Sequence, residues 1–170
     1  RTPEPLPEQL IHLLAVCRKP LWRRVLADLG RQLDNADISY IVVGGTSLAL
    51  HGIDVPVNDL DLELPPDDIY RFQERFAEQT VEPVTWREGE SIRSHFGRFV
   101  MDTISVDVMA SLERRTSDGR WVPSLAATQE TVDLDGVGIR VTTLEEEVLA
   151  YLRRGRLDRA ALALPVCSPD

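Results

Sequence analysis

Two carboxylates stand one residue apart at Asp59 and Asp61, thirteen residues beyond Gly44-Gly45-Thr46. Acids at i and i+2 of a strand point to the same side, where they can converge on a pair of divalent ions roughly 3.5 to 4 Å apart. Phosphoryl and nucleotidyl transfer need such ions, and hard magnesium prefers carboxylate oxygen and water. A third carboxylate from a neighbouring strand would complete the set. Asp107 is the candidate, an acid inside the apolar run Ile104-Ser105-Val106-Asp107-Val108, whereas Asp102 falls at a hairpin tip. Upstream, Gly44-Gly45-Thr46-Ser47 suits a turn at which backbone amides approach a phosphate and a helix begins with its positive end towards the anion. The hydroxyls of Thr46 and Ser47 could add hydrogen bonds.

These residues must be held by regular elements. The β-branched run Ile38 to Val43 reads as a buried strand entering the glycines, and Thr46 to His51 as a short helix closed by Gly52. Leu60, Leu62 and Leu64 alternate with Asp59, Asp61 and Glu63, the period of a strand with acids on one face and leucines on the other. Pro65-Pro66-Asp67-Asp68 opens a helix to about Glu78, with Ile69, Phe72 and Phe76 inward. Val81 to Trp86 is expected to be a strand, and Ser94 to Val100 with Ile104 to Ala110 an antiparallel hairpin. A polar loop over Arg114 to Arg120 then leads to a hairpin across Asp135-Gly136. Thr143 with Glu146 resembles a capping box for a helix to about Arg154, followed by a last helix from Arg156 to Leu164. Ahead of all this, Leu6 to Ala15 and Leu21 to Leu33 carry leucines at helical spacing. The expectation is an α/β (α+β) fold with a mixed sheet of about five strands flanked by helices. Residues 1–36 would be helices packed on the core, 37–142 the core and 143–170 closing helices, one domain overall.

Composition narrows the chemistry. A net charge of -9 disfavours general coating of nucleic acid. Lys19 is the only lysine, so a triphosphate clamp must use arginine or backbone amides, and a Schiff-base lysine is all but excluded. Cys17 and Cys167 form no CxxC, and His12, His51 and His95 no HExxH, so neither a disulfide framework nor a histidine-ligated zinc site is expected. No apolar run is long enough for a membrane span, and a cytoplasmic protein is expected. Taken singly, each motif has a plainer reading: the glycines a strand-to-helix turn, the acids a solvated strand face, His51 packed at a helix end, His95 on a hairpin surface. Arg153-Arg154-Gly155-Arg156 reads equally as a helix end favoured by its dipole or as phosphate-binding. The conjunction of glycine turn, paired acids and Asp107 favours the metal and phosphate reading.

Gly44-Gly45-Thr46, then Asp59-Leu60-Asp61-Leu62, with Asp107 in its apolar strand, resembles the DNA polymerase β-like nucleotidyltransferase superfamily over about Ile38 to Ala110. Weaker similarity through Thr143-Leu144-Glu145 and Gly155-Arg156-Leu157-Asp158 looks like the small prokaryotic branch with AbiEii-like toxins and antibiotic-modifying enzymes. The resemblance implies two Mg2+ (or Mn2+) ions on Asp59 and Asp61, with Asp107 binding one and helping to activate an acceptor hydroxyl. It implies that Gly45 and Thr46, within the turn Gly44 to Ser47, hold the β- and γ-phosphates of an NTP substrate, whose NMP passes to a small molecule, a tRNA or a protein. A cognate partner protein would go with the toxin-like branch. Many relatives carry Arg and Thr just before the first acid, where this chain has Val55-Pro56-Val57-Asn58. Arg153, Arg154 or Arg156 could supply that contact instead. The alternative is a catalytically silent member acting as a nucleotide sensor or protein-interaction module.

Overall fold

The computed structural model describes residues 19–124, 126 and 128–166. The helix expected over Leu6 to Ala15 lies outside these, as do Cys17 and Cys167. Helix α1 (Leu21–Asn35) follows Pro20, and its apolar stripe of Val25, Leu26, Leu29 and Leu33 is buried. It leads to β1 (Ile41–Val43), α2 (Gly44–Leu50), β2 (Asp59–Glu63) and α3 (Asp68–Arg75), then a 3-10 turn over Ala77–Gln79. The long strands β3 (Thr80–Glu88), β4 (Ile92–Met101) and β5 (Ile104–Arg115) follow, then β6 (Trp121–Pro123), β7 (Gln129–Leu134) and β8 (Val137–Thr142). Helices α4 (Leu144–Arg153) and α5 (Leu157–Ala163) come last.

All eight strands belong to one mixed sheet in the order β3-β4-β5-β2-β1-β8-β7, with β6 paired to β5. β2 runs parallel to β5 and β1 parallel to β8, and the other neighbours are antiparallel. Eight strands replace the expected five or so. One of the additions follows the expected polar loop: β5 continues to Arg115, and after a turn Trp121–Pro123 pairs back on it. Trp121 and the Arg93 guanidinium 4.6 Å from its ring centre give this polar edge its packing.

The leucines of β2 and the apolar positions of β5 face α1 and α3. Leu60, Leu62, Val106, Val108 and Ala110 join Leu26, Leu29, Ile69 and Phe72 in the principal core. A second cluster of Leu48, Ile53, Leu144, Val148, Tyr151, Ala160 and Ala163 unites α2, α4 and α5. The opposite face of β2 and β5 therefore carries the acids, bordered by α2 and α4. Among the described residues no helix is long and apolar enough to cross a membrane.

Candidate active site

Strand alternation and register together bring the three acids to one place. Asp61 and Asp107 are register partners on parallel strands, and Asp59 sits one step back on the same face of β2. Ligand oxygens of Asp59, Asp61 and Asp107 all lie within 4.8 Å of one another. Burial pushes the Asp61 carboxyl up to about 7, with the charges of Asp59, Asp107 and Glu147 adding to the effect. Hard oxygen donors that repel one another at this spacing suit a divalent cation, which would relieve the repulsion.

Helix α2 begins directly at Gly44, without the separate turn expected from the sequence. Gly44 has φ +71°, and a Cβ there would stand 2.8 Å from Asp61 Oδ2, so only glycine lets the acid approach the start of the helix. The Gly44 amide donates to Glu147 Oε1 at 2.9 Å. Glu147 also accepts from the Thr142 hydroxyl at 2.6 Å, and burial raises its pKa. The amides of Gly45 and Thr46 have no acceptor within the helix, as at any helix start.

The hydroxyls of Thr46 and Ser47 already have partners within the protein. Thr46 and Ser47 are both buried. Thr46 Oγ1 donates to the Asp59 carbonyl at 2.9 Å, tying α2 to the head of β2, and Ser47 Oγ lies 2.8 Å from Thr142 Oγ1. Ser47 is thus engaged with β8. Arg153 stands 3.8 Å from Glu146, and Arg156 forks Asp158 at 3.1 Å. Arg154 is the arginine whose charge bears on Asp61, Glu63 and Glu147. His51 Nε2 is 2.7 Å from the Thr142 carbonyl oxygen, and His95 packs edge-on to Trp86 and Tyr70.

Three further residues belong to this face. Arg98 of β4 donates Nε to Asp107 Oδ1 at 2.7 Å and Nη2 to Oδ2 at 2.8 Å. Glu63, two residues beyond Asp61, is 7% exposed, and its Oε1 has no hydrogen-bond partner among the described residues. Its Oε2 accepts from the Ala126 amide at 3.3 Å, and burial pushes its carboxyl up to about 7. Glu147 is the third. An acid at the helical position between Leu144, Val148 and Tyr151 was a readable signal for it, whereas Arg98 depends on the pairing of β4 with β5.

Comparison with known proteins bears on the whole arrangement. A family model described as aminoglycoside-2''-adenylyltransferase matches residues 25–162. The candidate nucleotidyltransferase TM1012 from Thermotoga maritima is 32% identical, over 84% of this chain and 90% of that one, with a TM-score of 0.76. An antigenic nucleotidyltransferase-like protein from Paracoccidioides brasiliensis shares the fold at 15% identity, over 87% of this chain and 77% of that one, with a TM-score of 0.51. So does ANT(2'')-Ia, solved with adenylyl-2''-tobramycin, at 12% identity over 79% and 82% of the two chains, with a TM-score of 0.53. No curated protein matches the chain in sequence. With the family model spanning most of its length, the chain belongs to the aminoglycoside-2''-adenylyltransferase family, within the nucleotidyltransferase superfamily.

Proposed function

We propose that this protein transfers a nucleoside monophosphate from an NTP to an acceptor hydroxyl or phosphate, with Mg2+ or Mn2+ held by Asp59, Asp61 and Asp107. The convergence of their oxygens within 4.8 Å carries the reading. Two divalent ions, when bound there, neutralise phosphate charge and favour in-line displacement. Asp107, across from Asp61 on the neighbouring strand, takes the proton of the acceptor hydroxyl in this reading. The amides of Gly45 and Thr46 hold the β- and γ-phosphates at the start of α2. Arg154 supports them with positive charge. Arg153 and Arg156 could contribute only by leaving Glu146 and Asp158.

A cationic small molecule of the aminoglycoside class is the acceptor that fits best. The matched family supports it, and a chain of net charge -9 attracts a polycation more readily than a tRNA. A cytoplasmic setting and one domain formed by 1–36, 37–142 and 143–170 go with this reading; the features here give no support to a cognate partner protein. Titration calorimetry with ATP, CTP, GTP and UTP in magnesium is the test. At least one nucleotide should bind, and Asp59→Ala with Asp61→Ala should abolish it. Binding that survives the double substitution unchanged would overturn the proposal. Nucleotide binding without pyrophosphate release, across a broad acceptor panel, would favour the silent sensor instead.

A further inference from the structure

Both carboxylate oxygens of Asp107 are already taken. The Arg98 guanidinium forks them at 2.7 and 2.8 Å, and its remaining nitrogen, Nη1, reaches Glu82 Oε1 at 3.3 Å. Glu82, Arg98, Asp107 and Asp61 are successive register partners on β3, β4, β5 and β2. They stand in one row across the face, each about 4.8 Å from the next. A guanidinium fork and a divalent cation both draw on the single negative charge of Asp107, and both are positive. Held against the same carboxylate, each weakens the other's hold.

Arg98 is built to yield. Its side chain is 40% exposed and lies beside the Phe96 ring, 5.7 Å from the centre, so it can turn on its stem without opening the core. Glu82, the acceptor on the far side from the acids, is itself held by Arg87. The row therefore offers the guanidinium two anionic partners on opposite sides.

We propose that Arg98 is a positioning residue with two seats, forking Asp107 while the acids hold no cation and moving on to Glu82 when a divalent ion takes Asp107. This rests on the reading of the three acids as metal ligands. It makes metal affinity a property of Arg98 and Glu82 as well as of the acids, a coupling between β3 and the site that the three aspartates alone do not contain. An arginine that merely braced Asp107 would have the opposite effect, since its loss would loosen the ligand and weaken metal binding.

Calorimetric titration of the full chain with Mn2+ distinguishes the two. Arg98→Ala should tighten binding roughly tenfold, the scale of one charge-assisted pair removed from competition. Glu82→Gln should weaken binding severalfold in the parent, and should have no effect in the Arg98→Ala background. Arg98→Lys, which keeps the charge and loses the fork, should fall between parent and alanine variant and serves if the alanine variant does not fold. Unchanged or weaker binding after removal of the fork would overturn the proposal, as would an equal Glu82→Gln effect in both backgrounds. Failure of the underlying reading looks different: Mn2+ binding by the parent would then survive Asp59→Ala with Asp61→Ala.

Discussion

Asp61 and Asp107 are register partners on the parallel strands β2 and β5, brought side by side although the whole β3–β4 hairpin intervenes in sequence. Neither can be replaced by its neighbour: Leu62 and Val108 point into the core. Asp107→Asn keeps the shape and removes the charge that holds a cation. Nucleotidyl transfer should fall by roughly 100-fold or more. The melting temperature should stay within a few degrees of the parent. Near-normal turnover by this variant would remove Asp107 from the chemistry.

Asp61 makes cation binding depend on pH. Its carboxyl is pushed up to about 7 by burial and by the neighbouring acids, so without metal it retains its proton below that pH. A cation binds the carboxylate form. Mn2+ affinity should therefore rise with pH up to about 7 and level off above, and calorimetry in buffers of different ionisation enthalpy should register proton release near pH 6. A flat affinity between pH 5 and 8 would contradict the cause assigned to the shift.

The two glycines should separate stability from binding. Gly44 is in the left-handed region, so Gly44→Ala meets backbone strain of about 1–2 kcal/mol, and its Cβ would stand 2.8 Å from Asp61 Oδ2. Thermal melts should show destabilisation, and Mn2+ affinity should drop with it. At Gly45 a Cβ meets only the Pro56 carbonyl oxygen, at 4.0 Å. Gly45→Ala should melt at or above the parent temperature while binding ATP less well. Identical behaviour of the two variants would undo the division of roles.

What could be read in the sequence was local. The alternation in Asp59-Leu60-Asp61-Leu62 and the acid in an apolar strand at Asp107 gave both faces of their strands, because period two is an intrinsic property of extended chain. Thr143 as the cap of α4 was likewise local, its hydroxyl accepting from the Glu146 amide. The contacts that complete the site were not local. Arg98 meets Asp107 through the β4–β5 register, and Gly44 meets Glu147 across 103 positions of sequence. β6 leaves no signal in the sequence because three residues carry no periodicity. The position of Ser47 after the glycines does not reveal that its hydroxyl lies 2.8 Å from Thr142 Oγ1 of β8.

Glu63 should cost the metal-free protein stability at neutral pH. Its folded carboxyl is pushed up to about 7 from an ordinary value of 4.5, so between these values the folded state binds more protons than the unfolded one and stability falls as pH rises. Glu63→Gln removes that dependence. In chelator, the variant should match the parent below about pH 4.5 and gain about 1–3 kcal/mol, several degrees of melting temperature, above pH 7. A variant less stable at pH 8 would mean that the Ala126 amide outweighs burial at this carboxylate.

Anomalous diffraction from crystals soaked in Mn2+ with a non-hydrolysable ATP analogue measures the metal site itself. Two manganese peaks are expected roughly 3.5 to 4 Å apart, ligated by Asp59, Asp61 and Asp107, with the β- and γ-phosphates at the Gly45 and Thr46 amides. Manganese bound elsewhere, or nucleotide bound with no metal at these three acids, would contradict nucleotidyl transfer at this site.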